Sequence, residues 1–82
     1  MIFLLEYDRE NGQLVSKRTF SQSERLAAEG ARLQLELDLH DRGVEREVVI
    51  LEAEDEDALR LTHRRYFQSV SELLGGIRST SN

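Results

Sequence analysis

Hydrophobic residues recur along this chain in different rhythms, and each rhythm specifies an element. From Ile2 to Tyr7 apolar side chains fill nearly every position. Phe3, Leu5 and Tyr7 take one side, while Ile2 and Leu4 take the other before Glu6 turns polar. Successive side chains on opposite sides define a strand, here with apolar residues on both faces. Asp8-Arg9-Glu10-Asn11-Gly12 follows, and Asn-Gly between two such runs signals a hairpin. Leu14 to Phe20 is the returning strand; Ser16, Lys17, Arg18 and Thr19 give it the polarity of a sheet edge. Val44 to Ala53 is the third strand, centred on the unbroken β-favouring run Val48-Val49-Ile50-Leu51.

Between the second and third strands the rhythm changes. Ser21 with Glu24 three residues on matches a capping box, which opens a helix running to His40 or Asp41, with Gly43 as its stop. Leu33, Leu35, Leu37 and Leu39 alternate with polar residues, which also fits a half-buried strand. Composition decides for the helix, because no β-branched residue stands between Glu24 and Arg42. At about 100° per residue the leucines then divide between two stripes. Leu26, Leu33 and Leu37 share one with Gly30, and Leu35 and Leu39 share the other with Ala28 and Ala31. The first stripe is expected to pack on the sheet, with Gly30 allowing close approach at a cost of roughly 1 kcal/mol in helix propensity. The second must meet something else, since a helix apolar on two sides is buried on two sides.

The last rhythm begins after the acidic run Glu54-Asp55-Glu56-Asp57, whose side chains suit a helix N-terminus. Leu59, His63, Tyr66, Phe67, Val70, Leu73 and Leu74 converge on one face, so a helix is expected from Asp55 to Leu74, stopped by Gly75-Gly76. The predicted order is β-β-α-β-α. It gives a single α+β domain over residues 1–76 and a flexible tail over 77–82. The architecture expected is a two-layer sandwich: a three-stranded, mainly antiparallel sheet, the first strand central, with two helices on one face. That would leave the other sheet face uncovered. A partner surface is therefore expected on the second helix stripe (Ala28, Leu35, Leu39), on the sheet face of Ile2, Leu4, Val48 and Ile50, or on both.

Composition narrows the function classes. The formal net charge of −5 argues against general affinity for nucleic acid or anionic membranes. Eighty-two residues bury only roughly 60–65% of the unfolded chain's surface, so cover from a second chain would matter. There is no cysteine for a disulfide framework or a thiolate metal site. The apolar start is interrupted at Glu6 with no basic segment before it, so no export signal or membrane span is expected and the location expected is cytoplasmic.

Candidate chemistry is sparse, and no cofactor is expected. Thr62, His63 and Tyr66 form a polar cluster on the final helix, in which the His63 imidazole would be the base or ligand contact of a small-molecule site. No nucleophile can be paired with it, so no enzyme is expected. A boundary histidine beside a packed tyrosine is the simpler account. Glu36 and His40 share a helix face at i, i+4, but with His63 they form no dense ligand motif, and no metal site is expected. Arg60, Arg64 and Arg65 lie around Leu61 on the solvent side of the final helix, where they would contact nucleic acid or an acidic partner. A solvated charged face is the commoner meaning of such a row, and an exposed leucine ringed by arginines is one way to anchor an interface. The leading expectation is a small protein-interaction module that self-associates as a homodimer. Arginine-mediated binding comes second, and a small-ligand site at His63 and Tyr66 third.

Overall fold

The apolar run Ile2–Asp8 becomes the central strand of a three-stranded antiparallel sheet. The computed structural model describes residues 1–67, in which β1 (Ile2–Asp8), β2 (Gln13–Phe20), α1 (Arg25–Asp41), β3 (Glu47–Glu52) and α2 (Glu56–Thr62) follow the predicted order. The strands lie in the order β2-β1-β3, and both pairings are antiparallel. Every residue of β1 from Ile2 to Tyr7 is buried. That burial follows from its position: only the middle strand has neighbours on both edges and apolar cover on both faces.

The hairpin is closed by side chain as well as backbone. The Asp8 carboxylate accepts the amides of Glu10 (3.0 Å) and Asn11 (3.1 Å) and the Asn11 side-chain amide (2.7 Å). The bonds from Asn11 hold its carboxyl below the usual range. Gly12 then takes φ 65°, the left-handed conformation that glycine reaches without strain. A bulge between Glu6 and Tyr7 shifts the register of β1 against β2 and leaves Val15 without a counterpart on β1.

Opposed residues of antiparallel strands project to the same side, so the register sorts the core into two clusters. Ile2, Leu4 and Phe20, with half-buried Val48 and Ile50, pack against Ala28 and Ala31 of α1. Phe3, Leu5 and Tyr7, with half-buried Val49 and Leu51, pack against Leu59 of α2 and against Tyr66. The α+β class, the strand order and the two helices are those expected, but the placement of the helices is not. They cover opposite faces of the sheet. Expecting both on one face overlooked that β1 and β3 are apolar on both faces, and each face needs its own cover.

The α1 helix is set up by Glu24, whose carboxylate accepts the Ser21 amide at 2.8 Å as the capping box predicts. A single 3-10 turn over Gln22–Glu24 precedes it. Leu33 to Leu39 is helical, as its composition indicated. The chain leaves the helix through Arg42 and Gly43, the latter at φ 66°. The two stripes of α1 are exchanged relative to expectation. Ala28 and Leu39 are buried and Leu35 is half-buried, whereas Leu26, Leu33 and Leu37 are exposed. The sheet beneath is already filled by Ile2, Leu4 and Phe20, so the side of the helix carrying alanines fits closest.

Of the sequence-predicted interface residues, Ala28, Ile2, Leu4, Val48 and Ile50 pack together between α1 and the sheet, while Leu39 is buried and Leu35 half-buried. Gly30 faces open space rather than the sheet. The final helix is shorter than expected. Asp55 caps it, accepting the Ala58 amide at 2.8 Å, and it ends at Thr62, followed by a 3-10 turn over Arg64–Tyr66. The predicted positions Val70, Leu73 and Leu74, the Gly75-Gly76 stop and the tail 77–82 lie outside the described residues.

Candidate functional site

Three surfaces carry the residues that the sequence singled out. The first surrounds Tyr66. Its ring is buried edge-on against Tyr7, with centroids 5.2 Å apart, and its hydroxyl donates to the Glu47 carboxylate. Arg65 donates to the same carboxylate at 2.5 Å and to the Tyr66 hydroxyl at 2.8 Å, and its guanidinium lies 4.4 Å from the Tyr66 ring centroid. Arg9 adds a looser ion pair to Glu47 at 3.7 Å. Glu47 is thus the centre of the cluster. The Tyr66 hydroxyl and the Arg65 guanidinium hold its carboxyl below the ordinary value. Burial and the neighbouring carboxylate push the Tyr66 phenol up.

His63 stands apart from this network. Its ring lies 6.4 Å from that of Tyr66, tilted at 54°. Its amide bonds the Leu59 carbonyl at 2.9 Å as part of the helix end. The Thr62 hydroxyl is turned back to the Ala58 carbonyl at 3.0 Å. Thr62, His63 and Tyr66 are therefore adjacent in the chain but directed at separate local partners. The cluster ties the end of the described chain to β3; it does not converge on a common point where a substrate atom would sit.

The arginine row is also partly engaged. Arg60 pairs with Glu56 at 3.1 Å and lies 4.7 Å over the Phe67 ring, and Arg65 belongs to Glu47. Arg64 and Leu61 are exposed. Glu36 and His40 line an open groove of about 910 Å³ beside the α1–β3 connection, together with Arg9, Leu39, Arg46 and Glu47. Its arginines are engaged, Arg9 with Glu47 of the same lining at 3.7 Å and Arg46 with Glu6 at 3.3 Å and Asp8 at 4.0 Å on β1. Among the described residues no three His, Cys, Asp or Glu side chains are grouped to hold a metal ion. No helix among them is long and apolar enough to cross a membrane.

The third surface is the outer side of α1. Leu26, Leu33 and Leu37 are 84%, 60% and 51% exposed, and among the described residues nothing outside its own helix turn comes within 4 Å of where a Cβ on Gly30 would stand. Three leucines at one helical spacing form a continuous strip, unlike the scattered apolar residues of an ordinary surface. The sequence reading identified this stripe but assigned it to the wrong side. The signal that distinguishes the two is size: Ala28 and Ala31 belong to the other stripe, and short side chains allow a helix to sit close on a filled sheet. Glu47 was missed altogether, because only the register that puts it opposite Tyr7 reveals its role. Comparison with protein-family models, curated proteins and solved structures found no match to this chain.

Proposed function

We propose that this protein is a small interaction module that self-associates through the outer side of α1. The observation that supports the reading is the exposed strip of Leu26, Leu33 and Leu37 on a helix whose opposite side already satisfies the sheet. Leucines held in water on an ordered helix lose the favourable transfer that burial gives, roughly 1.5–3 kcal/mol for each one fully covered. A second chain laid on the strip supplies that cover. The acidic balance points to protein rather than nucleic acid as the partner, and a chain without cysteine suits the reducing cytoplasm.

Light scattering on a sizing column over a wide concentration range tests this reading. The wild-type chain should be a dimer whose mass halves on dilution, and Leu33→Asp should be a monomer with unchanged circular dichroism. A wild-type chain that stays monomeric at high concentration rules the proposal out.

A further inference from the structure

Self-association through α1 leaves the orientation of the two helices open, and the strip itself contains the information to set it. Leu26, Gly30, Leu33 and Leu37 follow one another at spacings of four, three and four residues. Reversed, the order of spacings is unchanged. Two copies laid head to tail therefore match Leu26 with Leu37 and Gly30 with Leu33, around a two-fold axis crossing the helices between residues 31 and 32. The missing side chain of Gly30 becomes a recess, and Leu33 of the other copy is the side chain opposite it. In a parallel pair Gly30 would face Gly30 across a gap, and Leu33 would meet Leu33.

Charge on the neighbouring row has the same reversal property. At about 100° per residue, Arg25, Glu29, Arg32 and Glu36 run along one edge of the strip with alternating sign. Turned end for end, this row reverses about a point between residues 30 and 31, one residue from the strip's axis, and so brings Arg25 near Glu36 and Glu29 near Arg32, offset by about 3 Å along the helices. Glu29 has no ion-pair partner among the described residues, and the reversed copy brings it one. Asp38 and Asp41 of the two copies end at opposite ends of the pair. A row that complements its own reverse fits an isologous contact, in which one surface meets itself across a two-fold axis.

Resting on the self-association proposed above, we infer that two copies of this chain join as an antiparallel α1 pair in which Leu33 of each seats over Gly30 of the other. Gly30 is otherwise unexplained. Its backbone is ordinary helix, a methyl group there would touch nothing among the described residues outside its own helix turn, and alanine is the better helix former.

The chain has no cysteine, so single cysteines can be placed cleanly in the full-length protein. Leu26→Cys mixed with Leu37→Cys should form a mixed disulfide under mild oxidation. Leu26→Cys alone should not link to itself, because the antiparallel register separates the two positions by about 16 Å along the helices, beyond the roughly 7 Å that a disulfide spans between Cα atoms. Gly30→Ala should keep the fold and weaken dimerisation at least about tenfold, by filling the recess. Efficient self-linking of Leu26→Cys would overturn the antiparallel register, as would a Gly30→Ala dimer of unchanged affinity. In either case a wild-type dimer that Leu33→Asp dissociates would leave the self-association reading standing. A wild-type monomer overturns both, and would assign cover of the strip to residues 68–82 of the same chain or to a different protein.

Discussion

The two sides of α1 invert the usual arrangement of a surface helix. The side against the sheet offers Ala28, Ala31, half-buried Leu35 and buried Leu39, whereas the side facing away offers Leu26, Leu33 and Leu37. The bulkier apolar side chains are outside. The difference teaches that space decides which side of a helix turns inward. Total hydrophobicity does not, because a sheet surface crowded by Ile2, Leu4 and Phe20 takes a helix closely where the small residues Ala28 and Ala31 face it.

Matched substitutions on the two sides test that contrast. The largest effect is expected from aspartate. Ala28→Asp should abolish the folded state, because it places an unpaired charge at a position with no exposure, whereas Leu33→Asp should remain folded. Circular dichroism separates the two outcomes. Truncation comes next. Leu39→Ala should cost about 2–5 kcal/mol in denaturant unfolding, while Leu37→Ala, measured in dilute solution, should stay within about 0.5 kcal/mol of wild type. Equal losses at both would mean that the outer strip is covered within the chain.

The opposite sheet face supplies a control in which packing is fastened by charge. The folded-state pKa of Glu47 lies below its ordinary 4.5, so the unfolded chain binds the proton more readily. Its contribution to stability is therefore present above that ordinary value and is lost as pH falls through the lowered one. Glu47→Gln should be less stable than wild type at neutral pH and should lose less on acidification from about pH 5 to about pH 3. An identical acid limb in the two proteins would remove Glu47 from the account. The smallest effect is expected at the Arg32–Glu36 pair, 2.8 Å apart and half exposed. In dilute solution Glu36→Ala should change stability by no more than about 0.5 kcal/mol. A larger loss at dimer-forming concentrations would sharpen the register proposed for the pair.

Much of this architecture was legible in the residues. Asn11-Gly12, the Ser21–Glu24 box, Gly43 and the capping Asp55 act within a few residues of chain, so each could be located without knowing the fold. The apolar density of Ile2 to Leu5 placed β1 at the centre for a physical reason, since only a central strand needs cover on both sides. What could not be read depends on residues distant in sequence. The inward side of α1 is chosen by the sheet beneath it, and the division of the helices between two faces is settled when both faces of β1 and β3 need cover. Glu47 becomes a centre only when pairing sets it opposite Tyr7 and the chain returns with Arg65 and Tyr66. Leu26, Leu33 and Leu37 were recognised as a stripe because periodicity is local. Their exposure was not, because it is a property of the assembled layers.

The sheet order also sets a sequence of events in folding. β1 pairs with β2 across a short turn, but its pairing with β3 joins Ile2 to Glu52 and Tyr7 to Glu47, with all of α1 between them. The hairpin and the helix are both local structures that form on the microsecond scale, whereas closing the third strand requires ordering a loop of some forty residues. Until that closure, the most apolar strand of the protein has one edge unpaired. The step that completes the sheet is also the one that hides this edge, so the rate of β3 docking governs how long each new chain can pair wrongly with its neighbours.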